Sequence, residues 1–154
     1  MGFMELPQRK SPRIQKFDYS STNFYFITIC AHEKKCIFGQ PGALNWIGEC
    51  AEEYLRKIFV INPNVRIDKY VVMPNHIHVI FDLQPSQEKV DLAVVIGQYK
   101  MAVTKRIREK MPDFPVWQRS FHDHVIRNQA DYERIWLYIE GNPQRWDEDC
   151  FYVE

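Results

Sequence analysis

The alternation of apolar and polar positions is sharpest from Tyr70 to Asp82, YVVMPNHIHVIFD. Side chains two apart on a strand share a face. Val71, Met73, Ile77, Val79 and Phe81 therefore predict a face packed on a core, with His76 and His78 projecting together from the other. Pro74 lacks a ladder donor, so two antiparallel strands joined at Pro74-Asn75 are the alternative path. Both paths keep the histidines side by side.

Elsewhere the pattern alternates between strand and helix periods. NFYFITIC, Asn23 to Cys30, is aromatic and β-branched without a breaker and predicts a buried strand. A loop through Gly39, Pro41 and Gly42 leads to a helix over Ala43–Phe59, where Leu44, Ile47, Ala51, Leu55 and Ile58 recur at three- and four-residue steps. Asn62-Pro63 stops it. Val65 to Met73 is strand. A second helix spans about Glu88 to Met111, with Leu92, Val95, Tyr99, Val103 and Ile107 inward and Lys100, Lys105, Arg106 and Arg108 outward. A short strand falls around His122 to Ile126. Asn128 then caps a third helix that runs to about Gly141, before Asn142-Pro143.

Strand, helix, two strands, helix, strand, helix is a split βαβ order. It predicts an α+β, ferredoxin-like antiparallel sheet with an added C-terminal helix. The organisation is an extended basic arm over residues 1–21 (Arg9, Lys10, Arg13, Lys16), one domain over 22–146 and a tail over 147–154.

Composition narrows the chemistry. The 154 residues are 45% hydrophobic, enough for one real core, and 14% aromatic, more than packing alone asks for. Twenty basic and twenty acidic residues cancel, which argues against indiscriminate polyanion binding but leaves room for a local basic patch. Cys30, Cys36, Cys50 and Cys150 have no CxxC spacing, so neither a zinc knuckle nor a disulfide framework is indicated. No apolar run reaches membrane-spanning length and no leader pattern opens the chain; a cytoplasmic protein without a membrane partner is expected.

Two adjacent neutral imidazoles suit a divalent metal if further ligands arrive from elsewhere, although a His-x-His pair is also ordinary strand structure. Tyr138 and Asn142, four apart, share a face of the third helix. A tyrosine can attack a phosphodiester when a metal withdraws charge from the phosphate, and an amide oxygen can complete the metal's shell. Tyr138 also fits as plain packing beside Ile135 and Ile139.

Taken together, MPNHIHVIF, PVWQRSFHDHVIRN and YIEGNPQRW, with RIQKFDYSSTNFYFITICAHEKKCIFG before them, resemble the single-tyrosine HUH transposases of bacterial insertion sequences, and their relatives associated with repetitive extragenic palindromes most of all. The resemblance runs from about Pro12 to Trp146 with its parts in the family's order. It implies a nuclease and strand transferase acting on single-stranded DNA beside a hairpin. His76, His78 and Asn142 would ligate Mg²⁺ or Mn²⁺, and Tyr138 would form a 5′-phosphotyrosine. DNA contacts are expected from Lys100, Lys105, Arg106, Trp117, Arg119, His124 and Arg127, with a homodimer as one arrangement. Two other readings are a non-catalytic single-strand binding module using Trp117, Phe121 and Trp146 as stacking platforms, and a phosphodiesterase using metal-activated water. Tyr99 is read as packing, and His122 and His124 as a second pair without metal.

Overall fold

A computed structural model describes residues 24–84 and 90–153. The proposed arm, with Arg9, Lys10, Arg13 and Lys16, lies outside the described residues. Strands β1 (Phe24–Cys30), β4 (Val65–Met73), β5 (His76–Leu83) and β6 (His122–Ile126) form one antiparallel sheet ordered β4-β5-β1-β6. Among these four, the fourth, first, third and second lie side by side, the ferredoxin-like order expected from the split βαβ pattern.

Helices α1 (Trp46–Arg56) and α3 (Leu92–Arg108) cover one face. Their inward stripes, Ile47, Ala51 and Leu55 on α1 and Val95, Tyr99, Val103 and Ile107 on α3, join Tyr25, Ile27, Ile29, Ile77, Val79 and Phe81 in the main core. Helix α4 (Gln129–Gly141) lies against the other face, where Ile135 and Ile139 pack on Phe26, Cys30 and Ile80. The Asn128 side chain accepts a hydrogen bond from Asp131 N at 2.8 Å, a cap worth about 1 kcal/mol that starts α4 where the sequence placed it.

Three local expectations change. Ala43 and Leu44 form a small hairpin with Gly39–Gln40 (β3 with β2) rather than opening the first helix. Asn45 caps α1, its side chain accepting from Gly48 N, and a four-residue helix, α2 (Ile58–Ile61), follows a break. Gly48 is required there, because a Cβ would meet the Phe38 carbonyl oxygen at 2.2 Å. The Tyr70–Asp82 stretch takes the hairpin path, and its turn switches the alternation: Val72 pairs with Ile77 on the core side, while Val71 pairs with His78 on the α4 side.

Candidate metal and nucleophile site

Register builds the site. In β1–β5 pairing, Thr28 lies opposite His78 and Cys30 opposite His76, so both imidazoles emerge on the α4 face at the end of β1. They are 0% exposed, not simply turned away from a core as the alternation suggested. His76 Nε2 and His78 Nε2 approach to 3.1 Å. The opposite ring nitrogens are held: His76 Nδ1 lies 2.8 Å from Asn75 Oδ1 and His78 Nδ1 2.9 Å from Thr28 Oγ1.

Helix α4 brings the other two predicted residues. The Tyr138 ring lies 5.3 Å from that of His78, centre to centre. Asn142, at the end of α4, is buried, and its Oδ1 has no hydrogen-bond partner. A buried amide oxygen without a partner is costly and is a suitable additional donor for a hard divalent cation. Neutral imidazole nitrogens and a buried amide oxygen are donor types that such an ion takes.

The chain after α4 supplies what sequence reasoning missed. A 3₁₀ segment, Pro143–Glu148, returns the backbone to the histidines. Asp149 Oδ2 lies 3.4 Å from His76 Nε2 and accepts from Asn142 Nδ2 at 2.8 Å and from the Tyr138 hydroxyl at 3.3 Å. Its other oxygen accepts from Phe151 N at 2.8 Å. His76, His78 and Asp149 thus form a cluster able to hold a metal. The Phe151 ring stacks 4.7 Å from His76 and faces the rings of His78 and His122. Nothing in the local spacing of DEDCFY marks these two residues, because their role depends on the returning turn.

The electrostatics follow from burial. Burial pushes His78 well below the ordinary histidine range and keeps it neutral. Burial, then the Asp149 charge, pushes the Tyr138 phenol far up. For Asp149 burial opposes ionisation, but the contact with His76 and the Phe151 N–H outweigh it and hold the carboxyl below its usual range.

The remaining sequence candidates are dispersed. Lys100 Nζ donates to the carbonyls of Gln118 (2.9 Å) and Ser120 (2.6 Å), and the Trp117 indole N–H donates to Lys100 O at 3.1 Å. The Trp117 ring packs on Phe38 and Tyr99. Phe121 is buried and Trp146 half-buried beside His76 and Tyr152. Lys105 and Arg106 are exposed on α3, the helix packed on the sheet face opposite the histidines. Arg119 and Arg127 are exposed. His124 shares the α4 face, its Nε2 2.7 Å from Asp131 Oδ2. Tyr99 is core, as expected, its hydroxyl donating to Ala51 O at 2.8 Å.

Comparisons with known proteins bear on the family and the fold. The chain is 34% identical to an uncharacterised Haemophilus influenzae protein, over 95% of this chain and 94% of that one. It is 28% identical to another H. influenzae protein, assigned as a REP-associated tyrosine transposase, over 47% of this chain and 46% of that one. The structure of a REP-associated tyrosine transposase bound to a REP hairpin superposes with a TM-score of 0.66 at 23% identity, covering 92% of this chain and 74% of its own. Among the described residues no helix is long and apolar enough to cross a membrane. The family described as "Transposase IS200 like" matches residues 19–142, from before β1 to the asparagine that ends α4. With this match over most of its length, the chain belongs to the IS200-like transposases and is a transposase and nuclease that acts on DNA.

Proposed function

We propose that the protein is a metal-dependent endonuclease and strand transferase for single-stranded DNA flanked by a hairpin, with Tyr138 as nucleophile. The observation that carries this reading is that ligand atoms of His76, His78 and Asp149 lie within 4.8 Å of one another in one buried space, where the Tyr138 hydroxyl and the Asn142 amide both donate to Asp149 Oδ2. His76, His78 and Asn142 would hold Mg²⁺ or Mn²⁺, which supplies Lewis-acid withdrawal of charge from the scissile phosphate. The Tyr138 oxygen forms a bond to phosphorus as the bond from phosphorus to the 3′ oxygen breaks. Net, the phenol proton ends on the departing 3′-hydroxyl, and the 5′ phosphate stays on the protein. A later 3′-hydroxyl reverses the exchange and joins strands. The hairpin substrate is supported by the REP hairpin bound in the structural relative.

Asp149 and Phe151 occupy this space, so the phosphate reaches Tyr138 only when the 149–152 segment moves aside. The test is a denaturant-stable covalent complex between the full-length protein and a hairpin-flanked single strand in Mn²⁺. The attached DNA should be the piece 3′ of the cut. Tyr138→Phe should abolish the complex and retain DNA binding, Tyr99→Phe should retain both, and His76→Ala should lose the complex. An adduct surviving Tyr138→Phe refutes the nucleophile. Cleavage without an adduct would indicate water instead.

A further inference from the structure

We infer that Asn75 is a positioning residue that locks His76 with a proton on Nδ1, leaving Nε2 as its only lone pair for a cation. This rests on the metal reading above, and the argument runs through the direction of one amide. Asn75 is fully buried. Its Nδ2 donates to two backbone carbonyls, Phe151 O at 2.8 Å and Lys34 O at 3.1 Å. Carbonyls only accept, so these bonds fix which end of the amide is nitrogen. The end facing His76 is therefore Oδ1, itself only an acceptor, and at 2.8 Å His76 Nδ1 must be the donor. For His78 the partner is the Thr28 hydroxyl, which can donate or accept. Only His76 is forced.

The support for the amide is built into the backbone. Lys34 ends a 3₁₀ turn, His32–Lys34, in which Glu33 and Lys34 have φ of 52° and 57°, left-handed values rare for residues with a side chain. Asn75 grips both ends of this turn: its own carbonyl accepts from Ala31 N at 2.9 Å and its Nδ2 donates to Lys34 O. The strained turn thus aims a carbonyl at the amide, the amide orients the ring, and the ring presents Nε2. Because Lys34 O belongs to the folded body, departure of the tail carbonyl Phe151 O leaves the amide's direction intact.

The deciding measurement is the ¹H–¹⁵N correlation of the histidine side chains in the metal-free, full-length protein. His76 should show a protonated Nδ1. An unprotonated Nδ1 beside a protonated Nε2 overturns the inference, whatever the variants do. Asn75→Ala should mix the tautomers and weaken Mn²⁺ binding, read by EPR of the free ion, by about 10- to 100-fold. Lys34→Gly keeps the carbonyl and accepts the positive φ, so it should match the parent; a loss there would place the effect in the Lys34 side chain and sink the relay. A locked Nδ1–H tautomer in a protein that binds no Mn²⁺ would refute the metal reading and leave the Asn75 assignment standing.

Discussion

The Tyr138 hydroxyl donates to Asp149 Oδ2 at 3.3 Å, and the same oxygen accepts from Asn142 at 2.8 Å and faces His76 Nε2 at 3.4 Å. One carboxylate oxygen thus touches the proposed nucleophile and two of the proposed metal ligands. Burial, with the charge of this carboxylate beside it, keeps the phenol protonated.

Asp149→Asn removes that charge while keeping the side chain's shape. The phenol should then ionise at lower pH, visible in an ultraviolet tyrosinate titration, and adduct formation at fixed Mn²⁺ should become several-fold faster. Slower adduct formation would instead make Asp149 an obligatory ligand.

Phe151 closes the site by stacking on His76. Phe151→Ala should release the 149–152 segment without unfolding the sheet, whose main core lies on the other face. Diethyl pyrocarbonate should modify His76 and His78 rapidly in this variant and slowly in the parent. Equal protection in both would mean that the tail is not what shields them.

Lys100 and the Lys105–Arg106 pair should separate in their effects. Lys100 satisfies two carbonyls, so Lys100→Ala should cost about 1–3 kcal/mol of stability in a urea melt, with the salt dependence of DNA binding unchanged. Lys105 and Arg106 are exposed, so their joint replacement by Ala should leave the melt within about 0.5 kcal/mol. Should they contact phosphates, the slope of log K against log salt for a single strand shrinks by about 0.7 per contact. An unchanged slope would mean that neither side chain contacts a phosphate.

Stability should fall on both sides of neutrality. Folded His78 stays neutral, so below the ordinary histidine value of 6.5 the unfolded chain binds the extra proton, and stability drops as pH falls. Folded Tyr138 keeps its proton, so above 10.0 the unfolded phenol ionises first and stability drops as pH rises. The Asp149 carboxylate adds a further loss only below 3.8. Thermal melts of metal-free protein should show the acid limb beginning near pH 6.5, and His78→Gln should reduce it. A flat profile from pH 7.5 to 5 would contradict the buried neutral imidazole.

The sequence by itself determined the main strands and helices and the local spacing of the candidate residues. Period-2 and period-3.6 patterns are local consequences of which face meets the core, so the Phe24–Cys30 and His76–Leu83 strands and the stripes of α1, α3 and α4 were legible. The same logic put His76 beside His78 and Tyr138 one turn from Asn142. Only the tertiary structure decided that α4 crosses the histidine face, because sheet order and strand register depend on contacts distant in sequence. It also turned Val71 toward the histidines through the Pro74-Asn75 hairpin and withdrew Lys100 into a backbone-binding role. Asp149 and Phe151 were invisible for the same reason. A carboxylate and an aromatic ring in a C-terminal stretch carry no periodic signal; a 3₁₀ turn, fixed by packing, sets them against imidazoles more than seventy residues away.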